Sequence, residues 1–180
     1  VLGISIDKQG NCYKWTVLAY QMDGQSWLVD YGVSDTDKQL FELRQRPYFV
    51  KGDPKPRYIA GGVIDRAHRP KSVYKLCAKA QKLKWALYPC LGWGSANERY
   101  LGKSYEEKTD YLEGGQEIKY YSFHDHSVKI DFYFGTVGAR DNPRLWLPDP
   151  VPADIMTELT SAYWDATLQR FVHPEDAPPN

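Results

Sequence analysis

The chain has 180 residues, the size of one domain, and 42% of them are apolar, enough to build a core. Lys plus Arg number 23 and Asp plus Glu number 23, so the net charge is zero and no whole-chain field draws the protein to nucleic acid. Any such contact has to use a local patch. Three cysteines, Cys12, Cys77 and Cys90, are odd in number and widely spaced, which argues against a disulfide framework or a paired-cysteine zinc site.

Val1 opens directly on an apolar run, as in a domain taken from a longer protein. Gly3 to Asp7 reads as a first strand, and Tyr13 to Gln21 as a second. MDGQ (22–25) is an Asp-Gly turn signal, and SWLVDY (26–31) is a third strand. Ser34 or Asp35 then suits the N-cap of a short helix that carries Leu40, Phe41 and Leu43 and stops at Pro47. FVKGDPKP reads as a loop. RYIAGGVID repeats the opening shape, a buried strand ending in an acid, Asp65. A helix from Pro70 or Lys71 to Lys82 follows, with Val73, Leu76, Cys77 and Ala80 on one face, and Leu83–Leu87 is the next strand. The order is β-β-β-α-β-α-β.

The later half is less patterned. Residues 92–115 are polar and Gly-rich and read as a loop in which Trp93, Asn97, Arg99, Tyr100 and Lys103 mix aromatic and basic groups. Glu117–Ser122 and Lys129–Phe134 read as strands, and Ile155–Phe171 as a helix with Ile155, Leu159, Ala162, Tyr163 and Ala166 near one face. The tail HPEDAPPN reads as a frayed end. No stretch is long or apolar enough to cross a membrane, and the N-terminus carries no signal pattern. The chain reads as intracellular.

Two acids carry the chemistry. An ionised Asp at the end of a core strand has to cap a turn, pair with a base, or hold a cation. A three-stranded meander, a helix and a strand parallel to the first would set the fourth strand beside the first, bringing Asp7 and Asp65 together at the carboxyl edge, where open α/β sheets bind ligands. Two carboxylates there repel each other unless a cation lies between them, and Mg²⁺ or Mn²⁺ suits such an oxygen site. A pair of such ions hydrolyses phosphodiesters. Lys8, Arg66, Arg69 and Lys71 flank the two acids and are the candidates for phosphate contacts.

IDKQGNCYKWTVLAY followed by SWLVDYG resembles the opening of the nuclease domain of phage terminase large subunits of the lambda-like type: an I-D-x-Q pattern, a tyrosine, then a W-L-[IV]-D strand. RYIAGGVIDRAHRPKSVYKLCAKA is similar to the second acidic strand of that family, with Asp65, His68, Val73 and Tyr74 at the matching places. LKWALYPCLGW resembles the strand that follows. WLPDPVPADIMTELTSAYWD resembles a late segment with a Pro-containing strand before a helix, here with Leu159 and Thr160.

The resemblance spans nearly the whole chain and implies an RNase H-like α/β fold. It also implies metal-dependent cutting of double-stranded, concatemeric DNA during genome packaging in the host cytoplasm. The partners it implies are a packaging ATPase domain, a small terminase subunit and a portal. The chain has no Gly-rich loop ending in GK[ST], so no ATP site of that kind is expected in it. The family supplies a third acid from a late helix. That acid is expected beyond Asn180 or, within the chain, at Asp125 in FHDHS, with Asp131, Asp165 and Asp176 weaker; His124 and His126 read as a satisfied surface pair. Two other readings remain open: another RNase H-like nuclease of resolvase or transposase type, and a non-catalytic binding module.

Overall fold

Alternating apolar and polar side chains in the first residues start the central sheet. The structure, a computed structural model, describes residues 1–93, 105–132, 144–159, 163–165, 167 and 170–172. Strands β1 (Leu2–Gln9), β2 (Cys12–Tyr20) and β3 (Ser26–Ser34) form an antiparallel meander. Leu2, Ile4 and Ile6 of β1 and Tyr13, Trp15 and Val17 of β2 point to one face and are buried there.

Helix α1 (Asp37–Gln45) is capped by Thr36, one residue later than expected. Thr36 and Gln39 form a reciprocal capping box, and Leu40 and Leu43 are buried. The segment read as a loop is instead a small hairpin, β4 (Tyr48–Val50) and β5 (Asp53–Arg57). Strand β6 (Ile59–Asp65) pairs parallel to β1, as the meander argument requires. Helix α2 (Pro70–Lys82) starts at the expected proline and buries Val73, Tyr74, Leu76, Cys77, Ala78 and Ala80. Strand β7 (Ala86–Trp93) lies parallel to β6 and begins three residues later than expected.

The Gly-rich stretch also holds a strand, β8 (Tyr105–Tyr111), paired with β9 (Glu117–His124); residues 94–104 lie outside the described residues. Within the described residues the expected strand over Lys129–Phe134 is helical: α3 (Asp125–Phe132) takes in Lys129 to Phe132, and residues 133–134 lie outside the described residues. Strand β10 (Leu145–Trp146) pairs parallel to β3. The expected helix over 155–171 is short, α4 (Ala153–Leu159), and is followed by a hairpin of β11 (Tyr163–Asp165) and β12 (Arg170–Val172).

The main sheet has eight strands in the order β10-β3-β2-β1-β6-β7-β9-β8. It is a mixed α/β sheet flanked by helices, as an RNase H-like fold requires, and β1, β6, β7 and β9 all run the same way. Gly61 and Gly62 allow β6 to sit in the middle. A Cβ at Gly62 would collide with the Ile4 carbonyl oxygen, and one at Gly61 with the Ala86 carbonyl. Among the described residues no helix is long and apolar enough to cross a membrane.

Candidate active site

Strand register assembles the site. Ser5 pairs with Val63 and Ile6 with Ile64 on the parallel β1–β6 ladder, so Asp7 and Asp65 are the next neighbours along it. Adjacent strands lie roughly 4.8 Å apart, and side chains of one register share a face. Asp65 in turn stands opposite Cys90 on β7. Both carboxylates lie close enough to Cys90 to affect it: burial foremost, then the charges of Asp65 and Asp7, push its thiol up to about 12.

Each acid has a local partner. Asp7 Oδ2 accepts a hydrogen bond from Gln9 Nε2 at 2.5 Å. Lys14 is the cross-strand partner of Asp7 on the β1–β2 ladder. Asp65 Oδ1 accepts from the Ala67 backbone N–H at 3.0 Å, which fixes the turn into α2. The capping alternative is realised at Asp65, while Asp7 is held by an amide rather than a base, and each contact orients a carboxylate without removing it from the edge.

A cleft of about 870 Å³ opens on this face. Ser5, Asp7, Gln9, Lys14, Tyr31, Cys90 and Phe123 line it, and so does Asp154 from the first turn of α4. Gln9 enters the sequence reading only as the last residue of the I-D-x-Q pattern, and Lys14 and Asp154 are not singled out there. The first two follow from folding the Lys8–Asn11 turn into a hairpin, which sets Lys14 against Asp7. Asp154 was hidden because the late helix was expected to start after it.

Two of the expected phosphate contacts, Lys8 and Arg66, have partners within the protein. Lys8 follows Asp7 on β1 and so points to the opposite face, while Arg66 stands just past the end of β6. The Lys8 ammonium sits 3.7 Å from the centre of the Tyr13 ring. The Arg66 guanidinium, only 15% exposed, stacks over Tyr120 at 4.2 Å and Tyr74 at 5.4 Å and reaches Asp110 at 3.9 Å. Tyr74 donates to the same Asp110 oxygen at 2.8 Å, and this bond, foremost, holds the Asp110 carboxyl below its ordinary range. Arg69 and Lys71 are exposed at the start of α2, and Lys71 pairs with Glu113 at 3.2 Å.

Asp125 is not part of the cleft lining. It opens α3 and pairs with Lys129 at 2.9 Å, one turn along the same helix. His124 is buried rather than on the surface, with its Nδ1 accepting from the Ser127 N–H at 3.2 Å. Burial, foremost, lowers the pKa of His126. Of the aromatic and basic loop, only Trp93 lies within the described residues; Asn97, Arg99, Tyr100 and Lys103 lie outside them, as does Asp176.

Residues 1–164 match the family described as terminase large subunit gpA, endonuclease domain. The chain belongs to that family. No curated protein and no solved structure matches it. Membership in the gpA endonuclease family makes the domain a nuclease of DNA packaging, with DNA and packaging components as its general partners. The match includes Asp7, Asp65 and Asp154. The carboxylate oxygens of Asp7 and Asp65 fit a hard divalent cation that keeps several waters. Among the described residues no group of three or more His, Cys, Asp or Glu is tight enough to hold a metal by itself.

Proposed function

We propose that this gpA-type domain cuts double-stranded, concatemeric DNA by divalent-metal-dependent phosphodiester hydrolysis, with Asp7 and Asp65 as the carboxylates that hold Mg²⁺ or Mn²⁺. The observation that supports this reading is the parallel β1–β6 register, which sets two acids side by side on one face at the carboxyl edge of the sheet. When bound, the cations supply an activated water and neutralise charge on the phosphodiester. Gln9 holds the Asp7 carboxylate in orientation, and the Ala67 N–H does the same for Asp65. Lys14, on the cleft wall, brings a cation to the phosphate.

Asp154 takes the place of the third acid in this proposal, ahead of Asp125 or a residue beyond Asn180. It comes from a late helix, lies inside the family match and lines the same cleft as Asp7, whereas Asp125 is engaged by Lys129. Arg69 and Lys71 contact the DNA backbone beside the cut. A packaging ATPase domain, a small terminase subunit and a portal are the partners.

Digestion of a plasmid in Mn²⁺ or Mg²⁺, against EDTA, tests this reading. Cutting at many sites is expected with metal, and none in EDTA. Losing a second-sphere partner typically costs ~10–100-fold, so Asp7→Asn and Asp65→Asn should each lose more than ~100-fold. Asp154→Asn should be clearly impaired and Asp125→Asn nearly unchanged. Cutting in EDTA would refute the mechanism, a single-site product would refute the expected cutting at many sites, and damage by Asp125→Asn equal to that by Asp7→Asn would return the third position to Asp125.

A further inference from the structure

From Arg66 to Lys84 the chain carries seven bases, and no Asp or Glu stands between Asp65 and Glu98. In a molecule of zero net charge this is a strong local bias. Helix α2 organises it. Lys71, Lys75, Lys79 and Lys82 are all exposed, while the opposite side of the helix is buried. At roughly 100° per residue the four fall within an arc of roughly 80°, and at 1.5 Å per residue they extend over roughly 16 Å. Lys71 pairs with Glu113 at one end, through side chains that are both well exposed. Lys79 lies 5.1 Å from the centre of the Phe41 ring. Among the described residues Lys75, Lys79 and Lys82 make no ion pair shorter than 4.0 Å.

We propose that this lysine face of α2 is a sequence-independent docking track for the sugar-phosphate backbone of duplex DNA, continuing from the catalytic edge along the outside of the helix. It rests on the nuclease reading for the identity of the polyanion. Three features favour DNA over an acidic protein. The track starts at Arg69 and Lys71, directly after the turn that Asp65 fixes at the carboxyl edge of the sheet, and runs from that edge over the face opposite the acids. Its residues are lysines, point charges that neutralise phosphates without reading bases. Protein interfaces, by contrast, are depleted of lysine at their cores and centred on apolar anchors. The face of α2 offers no exposed large apolar residue between Lys71 and Lys82.

Binding of a duplex oligonucleotide to the whole chain, measured in EDTA over a range of salt concentrations, tests this. Each phosphate contact contributes about 0.9 to the slope of log K against log salt. The Lys75→Gln/Lys79→Gln/Lys82→Gln variant should therefore bind more weakly at low salt, with a slope shallower by about 2.7. All three positions are exposed, and circular dichroism checks that the variant folds. Asp7→Asn should keep the wild-type slope while losing metal-dependent cutting, so failure of the track and failure of the carboxylate site read out separately. An unchanged slope in the triple variant overturns the track and leaves an acidic protein as the partner for this face. Absence of duplex binding by the wild-type chain at low salt overturns it too.

Discussion

In the proposed mechanism Asp7 and Asp65 act through their neighbours as much as through their own charge. Gln9 reaches back two residues along β1 to hold the Asp7 carboxylate, so Gln9→Ala should lower metal-dependent cutting by ~10–100-fold while leaving stability nearly intact; a rate equal to wild type would remove Gln9 from the site. The thiols give a second reading of the same surroundings. Burial, with the two acids behind it, raises Cys90 from 9.0 to about 12, and burial also raises Cys77. A folded pKa above the unfolded one means that stability is fully present below about pH 9 and is lost as pH rises from there toward 12. Tyr13, Tyr48 and Tyr74, raised foremost by burial and then by hydrogen bonds to Asp37, Asp30 and Asp110, act in the same direction. Urea midpoints should therefore hold from pH 7 to about 8.5 and fall above pH 9, and Cys90→Ala should flatten that fall; a midpoint that rises above pH 9 would contradict the burial of these groups. Lys8 and Arg66 show what adjacency in sequence conceals. Lys8 stands beside Asp7 in the chain and across the sheet from it in space, because consecutive strand residues face opposite ways, and Arg66 stands beside Asp65 but packs against Tyr74, Tyr120 and Asp110.

Strand β6 is the element on which the site depends. It lies between β1 and β7, and its two glycines let the three backbones close up. Gly62→Ala should destabilise the fold by about 3 kcal/mol or more, because the methyl group meets a backbone carbonyl that cannot move without breaking the parallel ladder. A denaturant midpoint close to wild type would show that β1 and β6 pair more loosely than this. The core elements were legible in the sequence for a physical reason: β1, β2, β6 and α2 bury one face each, so their apolar periods are clean. Elements with little burial were not. Every residue of β8 except Asp110 is exposed, which leaves no hydrophobic signal to read. The β4–β5 hairpin contains two prolines and hardly any buried side chain. Helix α3 carries β-branched and aromatic residues that favour a strand by propensity, yet its first turn is held by the His124–Ser127 and Asp125–Lys129 contacts. The late apolar period ran on past Leu159, although Tyr163–Asp165 has the aromatic composition of the strand it forms. That overlong helix concealed Asp154 at the start of α4.

Taken whole, the molecule is neutral in sum and polarised in layout. Four parallel strands end at one edge, where acids gather on one face, while the helix that leaves this edge carries bases and no acid. The proposed mechanism uses both: negative groups that hold cations at the cut, and positive groups that hold the phosphates on either side of it. The family match establishes the enzyme class, and the account built on it stands or falls with the shared role of Asp7 and Asp65. Calorimetric titration with Mn²⁺ of the wild-type chain, Asp7→Asn, Asp65→Asn and the double variant tests that role most directly. If the two carboxylates hold cations jointly, either single substitution should abolish as much binding as the double one, since groups acting as a unit are strongly non-additive. Binding that survives in both single variants, or losses that simply add, would contradict it.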